Sequence, residues 1–211
     1  MRHLFFAAVG CIYSFVSITP SWAGNLIVNG GFERPHLTAD QPLRIEYVGS
    51  TFHGWTVTGP NNPPGLGVSL INEAYVENFG ENVLHFSPDK GAQSLDLSGP
   101  SNEGPVGVQQ TVATTAGDPY VLSFGLANQD DSYALYSRPS AVEVYIDGAS
   151  QGVFKNDRNT PDDLNWRKFT LNFTAATGAT TIQFVNRTRS DDNECGLDSV
   201  SLVQATEAGG N

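Results

Sequence analysis

Two stretches decide the fold: Tyr120-Val121-Leu122-Ser123-Phe124-Gly125-Leu126-Ala127 and Phe169-Thr170-Leu171-Asn172-Phe173. In the first, Leu122, Phe124 and Leu126 fall on one side of an extended chain, with Val121, Ser123 and Gly125 on the other. In the second, the three large apolar residues share one face. A period of two is the signature of a β-strand with one face in a core. Working outward, short segments of the same kind recur at residues 26–28, 54–58, 67–71, 92–97, 106–113, 141–146, 180–186 and 197–203, separated by Gly, Pro, Asn and Asp clusters. Asp147-Gly148, set between Val144-Tyr145-Ile146 and Gly152-Val153-Phe154, predicts a hairpin, because glycine supplies the positive φ of its turn. About ten strands at this spacing, with no convincing amphipathic helix, predict an all-β sandwich of the jelly-roll type. Longer loops are expected at residues 33–52, 58–65, 129–140 and 156–164, and such loops commonly carry binding surfaces.

The chain begins with Arg2 and His3, an apolar run over residues 4–16, then Pro20 and Ser21-Trp22-Ala23. This is the layout of a secretory signal peptide cleaved after Ala23. The run is shorter than the roughly 20 apolar residues that span a bilayer. Residues 24–204 then form one domain, with a polar tail at 205–211 expected to be disordered. That tail has no apolar anchor, so the expected location is secreted or periplasmic, without membrane attachment. Cys11 lies in the leader and leaves Cys195 alone, which rules out an internal disulfide and reads as a buried, inert thiol. Asp plus Glu number 22 against 11 Lys plus Arg, a net charge of −11 that argues against nucleic acid or anionic membrane partners. The same carboxylates suit a hard cation.

Several motifs, in order, resemble one known group. Asn25-Leu26-Ile27-Val28-Asn29-Gly30-Gly31-Phe32-Glu33 is similar to the opening of galactose-binding-like jelly rolls of the carbohydrate-binding-module type, and Gly54-Trp55 falls where these carry a Gly-Trp strand. With Leu84-His85-Phe86-Ser87-Pro88, Gln93-Ser94-Leu95-Asp96-Leu97 and Leu197-Asp198-Ser199-Val200, the chain resembles the domain of unknown function 642, whose bacterial members include choice-of-anchor C proteins. The resemblance implies carbohydrate-binding-module architecture and a link to cell-wall polysaccharide. It also implies a structural calcium ion held by Glu33 and Asp198, with the carbonyl of Asn25. The alternative is that Glu33 caps a turn and Asp198 accepts backbone hydrogen bonds. Many relatives have paired aspartates where this chain has Asp198-Ser199, so one carboxylate is missing.

For a polysaccharide ligand the expected contacts are aromatic rings beside amide, carboxylate and guanidinium groups. These residues are Tyr133 and Tyr136 in a polar loop with Asn128, Asp130, Asp131 and Arg138, and Trp166 after Asp162-Asp163. Trp166 also reads as a core residue at a strand start. An enzyme is disfavoured, because His36, His53 and His85 sit in no catalytic motif and the adjacent Asp pairs read as turn formers. The other reading is an extracellular matrix or surface protein-interaction domain without glycan recognition, since fold alone does not fix function.

Overall fold

The computed structural model describes residues 24–79, 81–100, 104–129, 139–158, 162–188 and 194–205. The strands are β1 (Leu43–Tyr47), β2 (Thr51–Phe52), β3 (Trp55–Thr58), β4 (Gly67–Asn72), β5 (Val76–Phe79), β6 (Asn82–His85) and β7 (Gln93–Asp96). They continue with β8 (Gly107–Ala113), β9 (Pro119–Gln129), β10 (Ser140–Ile146), β11 (Ala149–Asn156), β12 (Leu164–Thr174), β13 (Ala179–Asn186) and β14 (Gly196–Gln204). One six-stranded sheet has the order β1-β4-β7-β14-β9-β12, a second has β11-β10-β13-β8-β3-β2, and β5–β6 is a separate hairpin. Every pairing is antiparallel. The chain is an all-β jelly-roll sandwich.

The alternation that opened the sequence reading builds the core. Leu122, Phe124 and Leu126 of β9 are wholly buried, and Phe169 and Leu171 of β12 lie opposite Phe124 and Leu122. Phe124 has Phe184 at 5.1 Å, Phe154 at 5.4 Å and Phe169 at 5.6 Å, joining both sheets through edge-on and stacked rings. At the far end Trp55 is wholly buried, stacks on Phe32 at 5.4 Å and donates its indole N–H to the carbonyl of Asn29. The Asp147-Gly148 turn is present, with φ of 49° and 79°, and joins β10 to β11.

The first segment is not a strand but an extended clip. The side-chain amide of Asn25 donates to the carbonyl of Val200 and accepts from the N–H groups of Ile27 and Leu202, while Leu26 N–H bonds to the Leu202 carbonyl. Gly30 is required here by space, since a β-carbon on it would sit 2.0 Å from the Val200 carbonyl oxygen. The stretch 33–52, expected as a loop, contains β1 and β2. Leu43-Arg44-Ile45-Glu46-Tyr47 has a clean period of two, but β1 pairs at the sheet edge with its apolar residues beside Ser69 and Ile71. Those residues lie on the face of β4 opposite Val68 and Leu70, away from the sandwich core. The hairpin β5–β6 was likewise not anticipated. It covers part of this outer face, where Leu84, Phe86, Ile71, Ala127 and Leu164 make a second small core with Tyr75 and Trp166 at its margin.

Candidate functional site

The outer face of the first sheet carries a cleft of about 300 Å³ between β1, β4, β7 and the hairpin β5–β6. Leu43 and Ile45 from β1, Ile71 from β4 and Phe86 form its apolar wall. Ser69, Ser98, Tyr75, Glu77, Asp96 and Glu194 supply hydroxyls and carboxylates. The placement follows from register. Ser69 pairs with Asp96 across β4–β7 and with Ile45 across β1–β4, so the three side chains stand in one row on one face. Leu43 is 39% exposed and Tyr47, one step past Ile45 on the same face, 52%, so β1 turns its apolar side to solvent.

Asp96 is the buried anchor of the cleft. Its carboxylate accepts the backbone N–H groups of Ser98, Gly99 and Cys195 and the hydroxyl of Ser98. Burial pushes its pKa up to about 6, against the pull of those hydrogen bonds. The Tyr75 hydroxyl donates to Glu77 at 2.9 Å and its ring packs on Phe86 at 5.1 Å. Its pKa is pushed up to about 12, first by burial, then by the bond to Glu77 and the negative charges of Glu77, Glu194 and Asp96. The neighbouring Cys195 is buried and its thiol pKa is raised, chiefly by burial, which agrees with the inert reading.

A second constellation lies on the same sheet, around the loop before β7. Glu33 accepts the N–H groups of Ala92 and Gln93, and Asp198 accepts those of Lys90 and Ser199. The opening motif and the last strand therefore meet over one short loop, where both carboxylates accept backbone hydrogen bonds as in the alternative reading of these two residues. A β-carbon on Gly31 would lie 3.8 Å from Asp198 Oδ1 and 3.9 Å from Glu33 Cγ. Asp198 is wholly buried, and burial, opposed by its two backbone bonds and aided by the charges of Asp89 and Glu33, lifts its pKa to about 7. Among the described residues no three Asp, Glu, His or Cys side chains form a ready metal cage.

The other expected residues are distributed differently. Asn128 is buried; its side chain accepts from the N–H and hydroxyl of Ser140 and donates to the carbonyl of Arg158, tying β9 to β10. Trp166 is half-buried and lies over Gly125 and Gly196, whose β-carbons would come within 3.2 Å of its ring. Its N–H donates to the carbonyl of Ser87. Asn25, whose carbonyl was the third expected ligand, sits in the clip described above, where its side-chain amide holds Val200, Ile27 and Leu202. Asp130, Asp131, Tyr133, Tyr136 and Arg138 lie outside the described residues, as do the leader and the tail from residue 206. The sequence reading missed Ile45, Tyr75, Glu77 and Glu194. The available signal was the apolar alternation at residues 43–47 inside a stretch read as loop.

These features define a carbohydrate-binding-module-like jelly roll. The chain belongs to the family described as Protein of unknown function (DUF642), whose profile matches residues 25–203. Among solved structures it is similar to TmCBM61, solved in complex with β-1,4-galactotriose, at 15% identity and a TM-score of 0.51, covering 86% of this chain and 99% of that one. It is also similar to the CBM22-1 xylan-binding domain of Paenibacillus barcinonensis Xyn10C at 16% identity and TM-score 0.45, covering 89% and 99%. The K1 cleaved adhesin domain of Lys-gingipain from Porphyromonas gingivalis W83 matches at 14% identity and TM-score 0.49, covering 78% and 99%. No curated protein matches the chain. Among the described residues no helix is long and apolar enough to cross a membrane.

Proposed function

We propose that this chain is an exported, non-catalytic glycan-binding module that holds polysaccharide in the cleft over β1, β4 and β7. The observation that carries the reading is the outward-facing apolar side of β1 beside a row of hydroxyls and carboxylates. Sugars present apolar C–H faces and a fringe of hydroxyls, and this surface is complementary to both. The fold is shared with a module solved with a galactan trisaccharide. Affinity electrophoresis against β-1,4-galactan, xylan and β-glucan tests it. We expect retention by at least one polymer, weakened tenfold or more by Ile45→Ser and unchanged by Val153→Ser on the far edge strand. Retention by none would sink the reading and favour a protein-docking surface.

Calcium belongs to the same proposal. Asp198 is a fully buried carboxylate flanked by Asp89 and Glu33, and none of the ion pairs among the described residues involves these three. Ser199 Oγ, next in sequence, is buried without a hydrogen-bond partner. A buried carboxylate without an ion-pair partner among the described residues, with two acidic groups near it, fits a hard cation that takes oxygen ligands. Glu33 and Asp198 would hold the ion, which supplies the positive charge that the protein does not provide there. A cation binding only the folded state at 100 times its Kd adds about 2.7 kcal/mol, or roughly 5–10 °C in Tm for a domain of this size. We expect a chelator to lower the thermal midpoint of the wild type by this order and that of Asp198→Asn hardly at all. An equal midpoint with and without chelator would exclude the ion.

A further inference from the structure

Resting on the reading of the cleft as a glycan site, we propose that the site runs the whole length of β1 and takes the interior of an extended β-linked polysaccharide, with Tyr47 as the stacking residue of an outer subsite. β1 is the edge strand of its sheet, and its register with β4 is unbroken from Leu43 to Tyr47. Leu43, Ile45 and Tyr47 therefore stand in one line on one face. The first two line the cleft of about 300 Å³. Tyr47 lines a neighbouring cavity of about 230 Å³ together with Pro60, Pro63 and Pro64. The two adjoin, because Tyr47 pairs with Gly67 and Gly67 is packed against Gly99 of the cleft, where a β-carbon would lie 2.1 Å from the Gly67 carbonyl oxygen. At the other end Leu43 is shared with a third cavity, of about 310 Å³, which adds the exposed His36, Gln41 and Arg44. Three hollows of similar size thus follow one another along a single strand, joined through its apolar side.

The spacing and the chemistry both suit a sugar chain laid along the strand. Two strand steps, ~7 Å, separate successive apolar side chains, a distance comparable with one pyranose ring in an extended chain. One ring per rung, with another beyond Leu43, makes about four subsites. Tyr47, 52% exposed, offers a flat ring to the C–H face of a sugar. The prolines beside it have φ fixed by their own rings, so little freedom is lost when a sugar packs there. At the opposite end an imidazole, an amide and a guanidinium can bond to hydroxyls that the apolar rungs do not serve. Each contact is small, so affinity comes from several linked rings held at once. A polymer interior satisfies that requirement, and a chain end or a short oligosaccharide does so only in part.

The test is the dependence of affinity on chain length. β-1,4-Linked galactose, xylose and glucose oligosaccharides of two to seven units are titrated against the protein by calorimetry, beside their parent polymers. For the series that binds, we expect affinity to rise at least tenfold from the disaccharide to the pentasaccharide and to level off beyond it. Tyr47→Ala should remove most of that rise and leave the disaccharide within twofold, whereas Ile45→Ser should weaken every length. Reducing the aldehyde end of the heptasaccharide with borohydride should change nothing. Thermal midpoints of the variants establish that each is folded. A disaccharide held as tightly as the pentasaccharide would overturn the extended site while leaving the cleft as a glycan site. A folded Tyr47→Ala that weakens all lengths equally, or none, would overturn it too, as would loss of binding on reduction, which would show that the chain end is what is held. If no oligosaccharide and no parent polymer binds, the glycan reading of the cleft falls and this inference falls with it.

Discussion

Replacing Gly30 with alanine probes the contact that closes the jelly roll. The new methyl carbon would lie 2.0 Å from the Val200 carbonyl oxygen and 3.0 Å from its carbon, both backbone atoms that cannot rotate away. The two segments must separate, and the bond from Val200 N–H to the Gly30 carbonyl, 2.8 Å long, stretches with them. Overpacking of this kind costs about 1–3 kcal/mol, and a weakened hydrogen bond about 1 more. The reduced freedom of the unfolded chain returns about 0.5 kcal/mol. The net loss is about 1.5–3.5 kcal/mol, or roughly 3–14 °C in Tm for a domain of this length. Differential scanning calorimetry of wild type, Gly30→Ala and the control Gly24→Ala, which has open space around it, measures this directly. A Gly30→Ala midpoint within about 2 °C of wild type would show that first and last segments are not held as described.

Two further outcomes follow from the burial of charge and of Trp166. Asp96 ionises near 3.8 in the unfolded chain and near 6 in the folded one, so the folded state keeps the proton between those values. The resulting stability is whole below about pH 3.8 and lost as pH rises through about 6, an effect of order 3 kcal/mol. With chelator present, the midpoint of the wild type relative to Asp96→Asn should therefore fall from pH 4 to pH 7; a flat or rising difference would contradict the burial of this group. Glu143, held down to about 2 by hydrogen bonds from Ser150 and Arg187, acts in the opposite sense and only below its ordinary range. Gly196→Val should lift Trp166 off the sheet, because a β-carbon there would already lie 2.7 Å from Ala127 Cβ and 3.2 Å from the indole. We expect a red-shifted tryptophan emission and a cost of about 1–3 kcal/mol, and an unchanged spectrum would refute the flat packing.

Much of the fold was legible because its central strands obey the simplest rule available, apolar residues at every second position facing one core. β9, β12 and the Asp147-Gly148 hairpin could be read in this way without any tertiary information. β1 obeys the same rule with the sense reversed, and alternation alone does not say which face is inside. β5 and β6 escaped because they form a separate two-stranded hairpin whose burial comes from the sheet beneath. That Glu33 and Asp198 come to one place was implied by the family resemblance, and both reach the loop before β7. The cleft was not, because Ile45, Ser69 and Asp96 are brought into line by strand register and their spacing along the chain carries no trace of it. Trp166 shows the converse: its residue type pointed to sugar stacking, and only Gly125 and Gly196 beneath it reveal that the ring has a bed on the protein.

The Asn25 clip also governs how the domain would answer a pull. Leu26 bonds to Leu202 and Gly30 to Val200, so the two ends run in opposite directions and residues 24 and 205 leave the sandwich side by side. Tension applied between them would load these bonds in sequence, peeling the first segment from β14 like a zipper. The outermost fastening is the Asn25 side chain, and once the peel reaches Gly31 it exposes Glu33 and Asp198 next. An ion bridging those two carboxylates would act as the rivet that stops the tear, making the yield force of the tethered domain a function of dissolved calcium.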